Sequence, residues 1–226
     1  MQTQYITRRS QIETYFDRTA VKAWERLTSD APVSGVRARV RAGRDEMRAT
    51  LLSYLPHDLH GVTILDAGCG TGALAIAAAE RGAKVTAIDL SPQLVNVARD
   101  RLPKHLDVTF LSGDMLDPAL GTFDYVVAMD SIIHYRRADM LNIIQGLTKI
   151  ADRGMVFSFP PRTLPLATLW AVGKLFPRGD KSPAIEPQPP KALRRALSKF
   201  ETVKLGRHHR VATGFYISEA QELIRT

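Results

Sequence analysis

Between Gly61 and Phe159, short apolar runs alternate with alanine-rich or amphipathic stretches, and this rhythm predicts strands alternating with helices. Val62–Ala67, Lys84–Leu90, Val108–Leu111, Phe123–Met129 and Met155–Phe159 read as five strands. Helices are expected at Ala73–Glu80, from Pro92 to about Arg101, and at Ala138–Ile150. Gly82 ends the first of these helices, while Ser91-Pro92 supplies an N-cap followed by proline at the first helical position. Such alternation implies a parallel sheet covered on both faces, a doubly wound α/β fold.

The flanks have other patterns. Residues 10–28 read as a helix carrying Tyr15, Phe16 and Trp24; a breaker cluster occupies 29–35, and 36–55 reads as a strongly basic helix ending before Pro56. The expected division is therefore an N-terminal helical arm over 1–56 and an α/β domain over 57–226. Past Phe159, prolines from Pro160 to Pro190 bracket the apolar stretch Leu164–Phe176, predicted to be an inserted, partly helical lid near 160–190. Lys191–Lys199 reads as a helix. Glu201–Leu205 and Val211–Ile217 read as closing strands, antiparallel across a short Gly206–Arg210 turn, which brings the sheet to seven strands.

A chain of 226 residues is long enough for one such domain with a full core and an accessory segment. The single cysteine, Cys69, excludes an intramolecular disulfide framework and a Cys-rich zinc site, and makes a reducing cytoplasm the simplest compartment. The first residues lack the apolar stretch of a signal peptide, and no apolar run approaches the ~20 residues of a membrane span. The expectation is a soluble, cytoplasmic protein that can still touch a membrane surface. The net charge of +8 is uneven: +4 over residues 1–56, −3 over 57–150 and +7 over 151–226. Basic flanks suit an anionic partner such as a carboxylate-bearing substrate, nucleic acid or an anionic lipid surface, with an ordinary solvated surface as the plain alternative.

Candidate chemistry gathers at the strand ends. Asp66-Ala-Gly68-Cys-Gly70-Thr-Gly72 lies at the first strand-to-helix junction, where doubly wound sheets bind ligands and where glycines let backbone approach them closely. Gly68-x-Gly70-x-x-Ala73 also satisfies a loose dinucleotide fingerprint. The Asp66 carboxylate opposes that reading, since it repels a pyrophosphate and attracts the ammonium group of an amino acid. Asp89, ending the second strand, suits the two hydroxyls of a ribose in either ligand. Gly113-Asp114-Met115 comes after the third strand; an acid there can bond an adenine amino group while the thioether packs on the ring.

Acids and glycines ordered in this way at three consecutive strand ends resemble the class I methyltransferases, and the resemblance covers about residues 60–159. It implies a Rossmann-like seven-stranded sheet and S-adenosylmethionine as cofactor, with S-adenosylhomocysteine as its product. Cys69, Gly72, Leu90, Ser91 and Asp130 complete the expected cofactor-binding set, Cys69 as a loop filler rather than a nucleophile. A closer resemblance rests on Tyr15-Phe-Asp-Arg-Thr-Ala-Val-Lys-Ala-Trp24, Asp130-Ser-Ile-Ile-His-Tyr135 and Phe157-Ser-Phe-Pro-Pro161. These segments look like the magnesium-protoporphyrin IX O-methyltransferases, enzymes that esterify one propionate in chlorophyll and bacteriochlorophyll synthesis. The match weakens over 177–190.

What that resemblance implies is specific. His134 is expected to hydrogen-bond the propionate, and Tyr15 to close over the cofactor and help position the acceptor. Tyr135 and Trp170 are expected to face the porphyrin. A porphyrin's second carboxylate also needs a cation at the rim of its slot: among the arginines of the basic helix (Arg37, Arg39, Arg41 and Arg44), Arg37 and Arg41 are the expected partners, with a solvated helix face as the plain alternative. Magnesium belongs to the substrate, and no protein metal site is expected. Mg-protoporphyrin IX is the expected partner, and the resemblance makes hand-over by the porphyrin-binding subunit of magnesium chelatase plausible. Nucleic acid is not expected: Asp130-Ser-Ile-Ile-His stands after the fourth strand, where base-amino methylases carry Asn/Asp-Pro-Pro-Tyr/Phe. The alternatives are a methyltransferase of another small molecule such as a quinone, and a non-catalytic module that binds or delivers the cofactor.

Overall fold

A computed structural model of the protein describes residues 2–17, 21, 25, 28, 35–162 and 184–226. Its elements in chain order are α1 (Gln2–Tyr15), α2 (Gly35–Ser53), β1 (Thr63–Ala67), α3 (Ala73–Ala79), β2 (Lys84–Asp89), α4 (Pro92–Arg101), β3 (Val108–Ser112), β4 (Phe123–Ala128), α5 (Arg137–Lys149), β5 (Ala151–Phe159), α6 (Pro190–Leu197), β6 (Val203–Thr213) and β7 (Tyr216–Arg225). The strands form one sheet in the order β3-β2-β1-β4-β5-β7-β6. β1 to β5 run parallel, and β7 is antiparallel to both β5 and β6.

Strand alternation sends neighbouring side chains into two separate cores. Leu65, Val126, Met155 and Phe157 point to one face and pack with Ile143 and Leu147 of α5 and Leu193 of α6. Ile64, Val85, Val127 and Val156 point to the other, where Met47 and Leu51 of α2, the alanines of α3 and Val95 of α4 cover them. Short strands buried on both faces explain why β1, β2 and β4 read as continuous apolar runs.

Four elements depart from the sequence reading. The first helix begins at Gln2 rather than residue 10, and the stretch after Tyr15, including Trp24, lies largely outside the described residues. β5 starts four residues early, at Ala151. The predicted Gly206–Arg210 turn is instead part of β6, and Val211–Ile217 is not one strand but the end of β6, a reversal and the start of β7. Thr213 pairs with Tyr216, leaving Gly214-Phe215 as a two-residue loop, and the positive φ of +65° at Gly214 is what such a hairpin requires of its first loop residue. Leu205 pairs with Leu223 and His208 with Gln221, so Gly206 and Arg207 together oppose Glu222 in a bulge. The polar run Arg207–Arg210 that suggested a turn is the exposed outer edge of the sheet, where charge discourages pairing with another chain.

The lid stretch Leu164–Phe176, with Trp170, lies outside the described residues. Its flanks do not: Arg162 donates its backbone N–H to Gln188 (2.8 Å), and Gln188 donates its own to Pro160 (2.9 Å). The insertion therefore leaves and rejoins the fold at one place, the C-terminal end of β5. Among the described residues no helix is long and apolar enough to cross a membrane.

Candidate active site

Strand order reverses between β1 and β4, and a crevice opens beyond the C-terminal ends of the strands at such a switch point. A cavity of about 450 Å³ occupies it, within the range of small-ligand sites. Its walls come from the glycine loop after β1, the ends of β2, β3 and β4, the turn after β4, and helices α1 and α2.

The glycine loop is fixed from beneath. The backbone N–H groups of Gly68 and Cys69 both donate to Ile88 O (2.8 and 3.0 Å), and Gly70 N–H donates to the Asp89 carboxylate at 2.8 Å. Asp89 also accepts from Ser91 N–H at 2.9 Å, so one side chain rivets the loop to the end of β2. Three left-handed glycines serve three purposes. A Cβ on Gly68 (φ +86°) would lie 2.1 Å from Ser131 Cβ, and one on Gly72 (φ +79°) would strike Ala98 and Phe110. One on Gly70 (φ +54°) would meet nothing, because that position faces open space. Gly72 is the N-cap of α3 and Ser91 that of α4, accepting from Leu94 N–H at 3.2 Å; neither lines the cavity, so both shape the site from outside it.

Asp66 is 1% exposed, and its Oδ2 has no hydrogen-bond partner among the described residues. Burial first, and the charge of Asp89 second, push its carboxyl up to about 7. Burial raises Asp89 as well, against the backbone N–H groups that stabilise its ionised form. A buried carboxylate with a free oxygen beside a glycine whose missing side chain leaves space fits the cationic amino-acid end of S-adenosylmethionine. Leu90 and Met115 line the same wall and offer apolar surface to a base. Burial and the neighbouring acids raise the Cys69 thiol well above its ordinary value, which keeps it protonated and unreactive.

Asp114 departs from the sequence reading. Its neighbours Gly113 and Met115 line the cavity, but its own oxygens are taken by α1: Tyr5 OH donates at 2.8 Å and Arg9 Nη1 at 2.7 Å. Asp130 also differs from a simple cofactor ligand. It lines the cavity, yet Arg44, Ser158 and Tyr216 all donate to its carboxylate.

The acceptor side is the short 3₁₀ turn Ile132–His134. His134 is 6% exposed, lines the cavity and lies 5.7 Å from the Phe16 ring. Arg8 Nε donates to its carbonyl at 2.8 Å, and Glu186 N–H donates to that of Ile133, so α1 and the returning insertion hold the turn together. Tyr135 is buried on the wall and stacks on Tyr5, with ring centroids 5.5 Å apart.

Tyr15 itself does not line the cavity; its ring meets the edge of Phe16, and Phe16 with Ile12 forms the wall. Tyr5, Arg9, Ile12 and Phe16 recur at helical spacing, and that stripe is the signal that selects Phe16 over Tyr15. On α2, Arg41, Arg44 and Arg48 line the cavity, whereas Arg37, about one, two and three turns before them, is exposed and stands off it. The sequence reading also missed Thr28, Thr71 and Arg101. Thr71 Oγ1 donates to Thr28 Oγ1 at 2.9 Å, and Arg101 Nη1 donates to the same Thr28 oxygen at 2.8 Å, contacts between distant segments that no local pattern announces.

A glycine loop with buried acids at two strand ends, under a sheet of this order with an antiparallel β7, defines a class I S-adenosylmethionine-dependent methyltransferase. Family models agree: a methyltransferase domain matches residues 64–154, and the magnesium-protoporphyrin IX methyltransferase C-terminus matches 128–225. The chain is 50% identical to magnesium-protoporphyrin O-methyltransferase of Rhodobacter capsulatus, over 98% of this chain and 99% of that one. It is 30% identical to the Synechocystis protein of the same name over 95% of each. The crystal structure of magnesium protoporphyrin IX methyltransferase from Synechocystis PCC 6803 with bound S-adenosylhomocysteine superposes with a TM-score of 0.83 at 29% identity, covering 96% of this chain and 99% of that one. The chain belongs to the magnesium-protoporphyrin O-methyltransferase family.

Proposed function

We propose that this protein transfers a methyl group from S-adenosylmethionine to a propionate carboxylate of Mg-protoporphyrin IX, giving the monomethyl ester of (bacterio)chlorophyll synthesis. Beyond family membership, the observation that carries this reading is the convergence of Asp66, Asp89 and His134 on one cavity.

When bound, S-adenosylmethionine supplies an electrophilic methyl group on a sulfonium sulfur. Asp66 Oδ2 would hold its ammonium group, Asp89 its ribose, and Leu90, Gly113 and Met115 its base, while the loop Gly68–Gly70, its N–H groups bonded to Ile88 and Asp89, offers the close backbone approach its glycines allow. The acceptor needs little activation, because propionates with a pKa near ~4.3 are ionised at neutral pH. The chain's task is alignment and exclusion of water. His134, on a turn braced by α1 and by the returning insertion, hydrogen-bonds the propionate and takes up any residual proton. Phe16 and Ile12 close the wall above it, with Tyr15 supporting the Phe16 ring. Tyr135 flanks the porphyrin, and Arg41 with Arg48 offers cations to the second propionate. Among the described residues no three His, Cys, Asp or Glu side chains cluster to hold a metal, and magnesium enters with the substrate.

Incubation with S-adenosylmethionine and Mg-protoporphyrin IX should yield a monomethyl ester separable by chromatography. Binding of both ligands without ester would overturn the reading in favour of a delivery module.

Two finer features belong to the same reading: receipt of the porphyrin from the porphyrin-binding subunit of magnesium chelatase, and peripheral contact with an anionic membrane. Supporting them are the net charge of +8 and the exposed Val36, Arg37, Arg39 and Phe215 at the start of α2 and the β6–β7 loop. Flotation with anionic vesicles should carry the protein upward; no flotation removes the membrane contact.

A further inference from the structure

Asp130 is the sole non-glycine residue with positive φ among those described, at +52°. A side chain in that region is strained, and strain of this kind persists where the surroundings over-determine the conformation. Here they do. Ser158 Oγ accepts from Asp130 N–H and donates to its Oδ1, both at 2.8 Å, closing a ring between the end of β4 and β5. Arg44 Nη1 donates to Oδ2 at 2.7 Å from α2, and Tyr216 OH donates at 3.0 Å from β7. Three elements thus converge on one carboxylate whose side chain is only 7% exposed.

Asp130 immediately precedes the turn that carries His134. Ser131, next in the chain, lies so close to the glycine loop that a Cβ on Gly68 would fall 2.1 Å from its own. With no slack between cofactor loop and acceptor turn, a change in the backbone at Asp130 must move His134 relative to Gly68. Arg44 also offsets the charge of Asp130 on a wall that an anionic acceptor has to approach. Burial and the adjacent Asp130 raise the Tyr216 hydroxyl above its ordinary value, so it remains a donor through the neutral range.

We infer that Tyr216, Ser158 and Arg44 clamp Asp130 in its left-handed conformation and act as positioning residues for methyl transfer, Asp130 being the anchor of the acceptor turn rather than a cofactor ligand. The inference rests on the reading that His134 receives the acceptor carboxylate. Arg44, engaged inside the protein, is then not the partner of the second propionate.

The test uses the full chain with Tyr216→Phe, which removes one hydroxyl and keeps the ring. The expected result is a fall in kcat of about ten- to a hundred-fold, the size of effect that misplacement by an ångström produces. KM for Mg-protoporphyrin IX and the calorimetric Kd for S-adenosylhomocysteine should stay within about twofold. Ser158→Ala should behave alike, and the double variant should lose less than the product of the two, since both act through one carboxylate. Nitrogen NMR of the His134 imidazole gives a readout independent of turnover: its resonances should shift in Tyr216→Phe. Unchanged kcat and unchanged His134 resonances, even with a lowered melting temperature, would make the network merely structural and overturn the inference. A raised KM at unchanged kcat would do so too, by assigning the residues to substrate binding. Absence of ester with the wild-type protein would instead count against the acceptor reading, leaving the NMR comparison to decide the clamp.

Discussion

Asp66 is the buried acid whose titration is pushed into the neutral range. Burial and Asp89 raise its carboxyl to about 7, so the folded protein holds that proton more tightly than the unfolded chain. The stability this contributes is fully present below the ordinary carboxyl pKa and is lost as pH rises through about 7. Binding of an ammonium group runs the other way, since it needs the ionised form. Affinity for S-adenosylhomocysteine should therefore fall about tenfold per pH unit below 7, with proton release visible as a buffer-dependent binding enthalpy. Asp66→Asn should weaken binding about ten- to a hundred-fold and flatten that pH dependence. Two glycines of the loop separate fold from function. Gly68→Ala forces a clash with Ser131 and should cost about 2–4 kcal/mol by chemical denaturation. Gly70→Ala meets no atom and should cost only about 1 kcal/mol for its φ, yet place a methyl where the ligand comes and abolish cofactor binding by calorimetry.

At the scale of elements, α1 is a latch on the site. Tyr5 and Arg9 bond Asp114, Tyr5 stacks on Tyr135, and Arg8 reaches the His134 carbonyl and Ala184. The Arg9–Asp114 pair is part-exposed, so its net contribution is about 1 kcal/mol. Arg9→Ala should accelerate amide exchange in α1 by about fivefold while β1 and β4 exchange as before. Legibility in the sequence tracks locality. β1, the glycine loop, α3 and β2 form one continuous strand–turn–helix–strand unit whose pattern and chemistry coincide, so Asp66 and Asp89 stood out at the strand ends. The β6–β7 reversal was misplaced because a charged edge strand and a turn share the same composition, while the Gly214-Phe215 loop carries a single glycine between Thr213 and two aromatic residues. Asp114 and Asp130 looked like ligands because each comes just after a strand. Apart from Ser158, their side-chain partners, Tyr5, Arg9, Arg44 and Tyr216, lie 86 or more residues away and are brought in by the fold alone.

For the whole molecule, charge and shape divide the work. The acidic middle third builds the cofactor side, while α2 and the C-terminal third bring most of the basic surplus around it. The doubly wound sheet fixes Asp66 and Asp89 rigidly at the switch point, and the less regular parts of the chain, α1, the turn after β4 and the insertion that returns at Gln188, meet over the acceptor side. A rigid cofactor half under an acceptor half assembled from distant segments is the arrangement expected where binding of a large flat substrate completes the site. The proposed activity stands on one placement: the cofactor against Asp66 and Asp89, and one porphyrin propionate against His134. A crystal structure of the protein with S-adenosylhomocysteine and Mg-protoporphyrin IX is the decisive measurement. The expected result is the ammonium group on Asp66, the ribose on Asp89, and a propionate oxygen hydrogen-bonded to His134 and facing the sulfur. A porphyrin whose carboxylates all lie away from His134, with the imidazole turned into the protein, would contradict that placement.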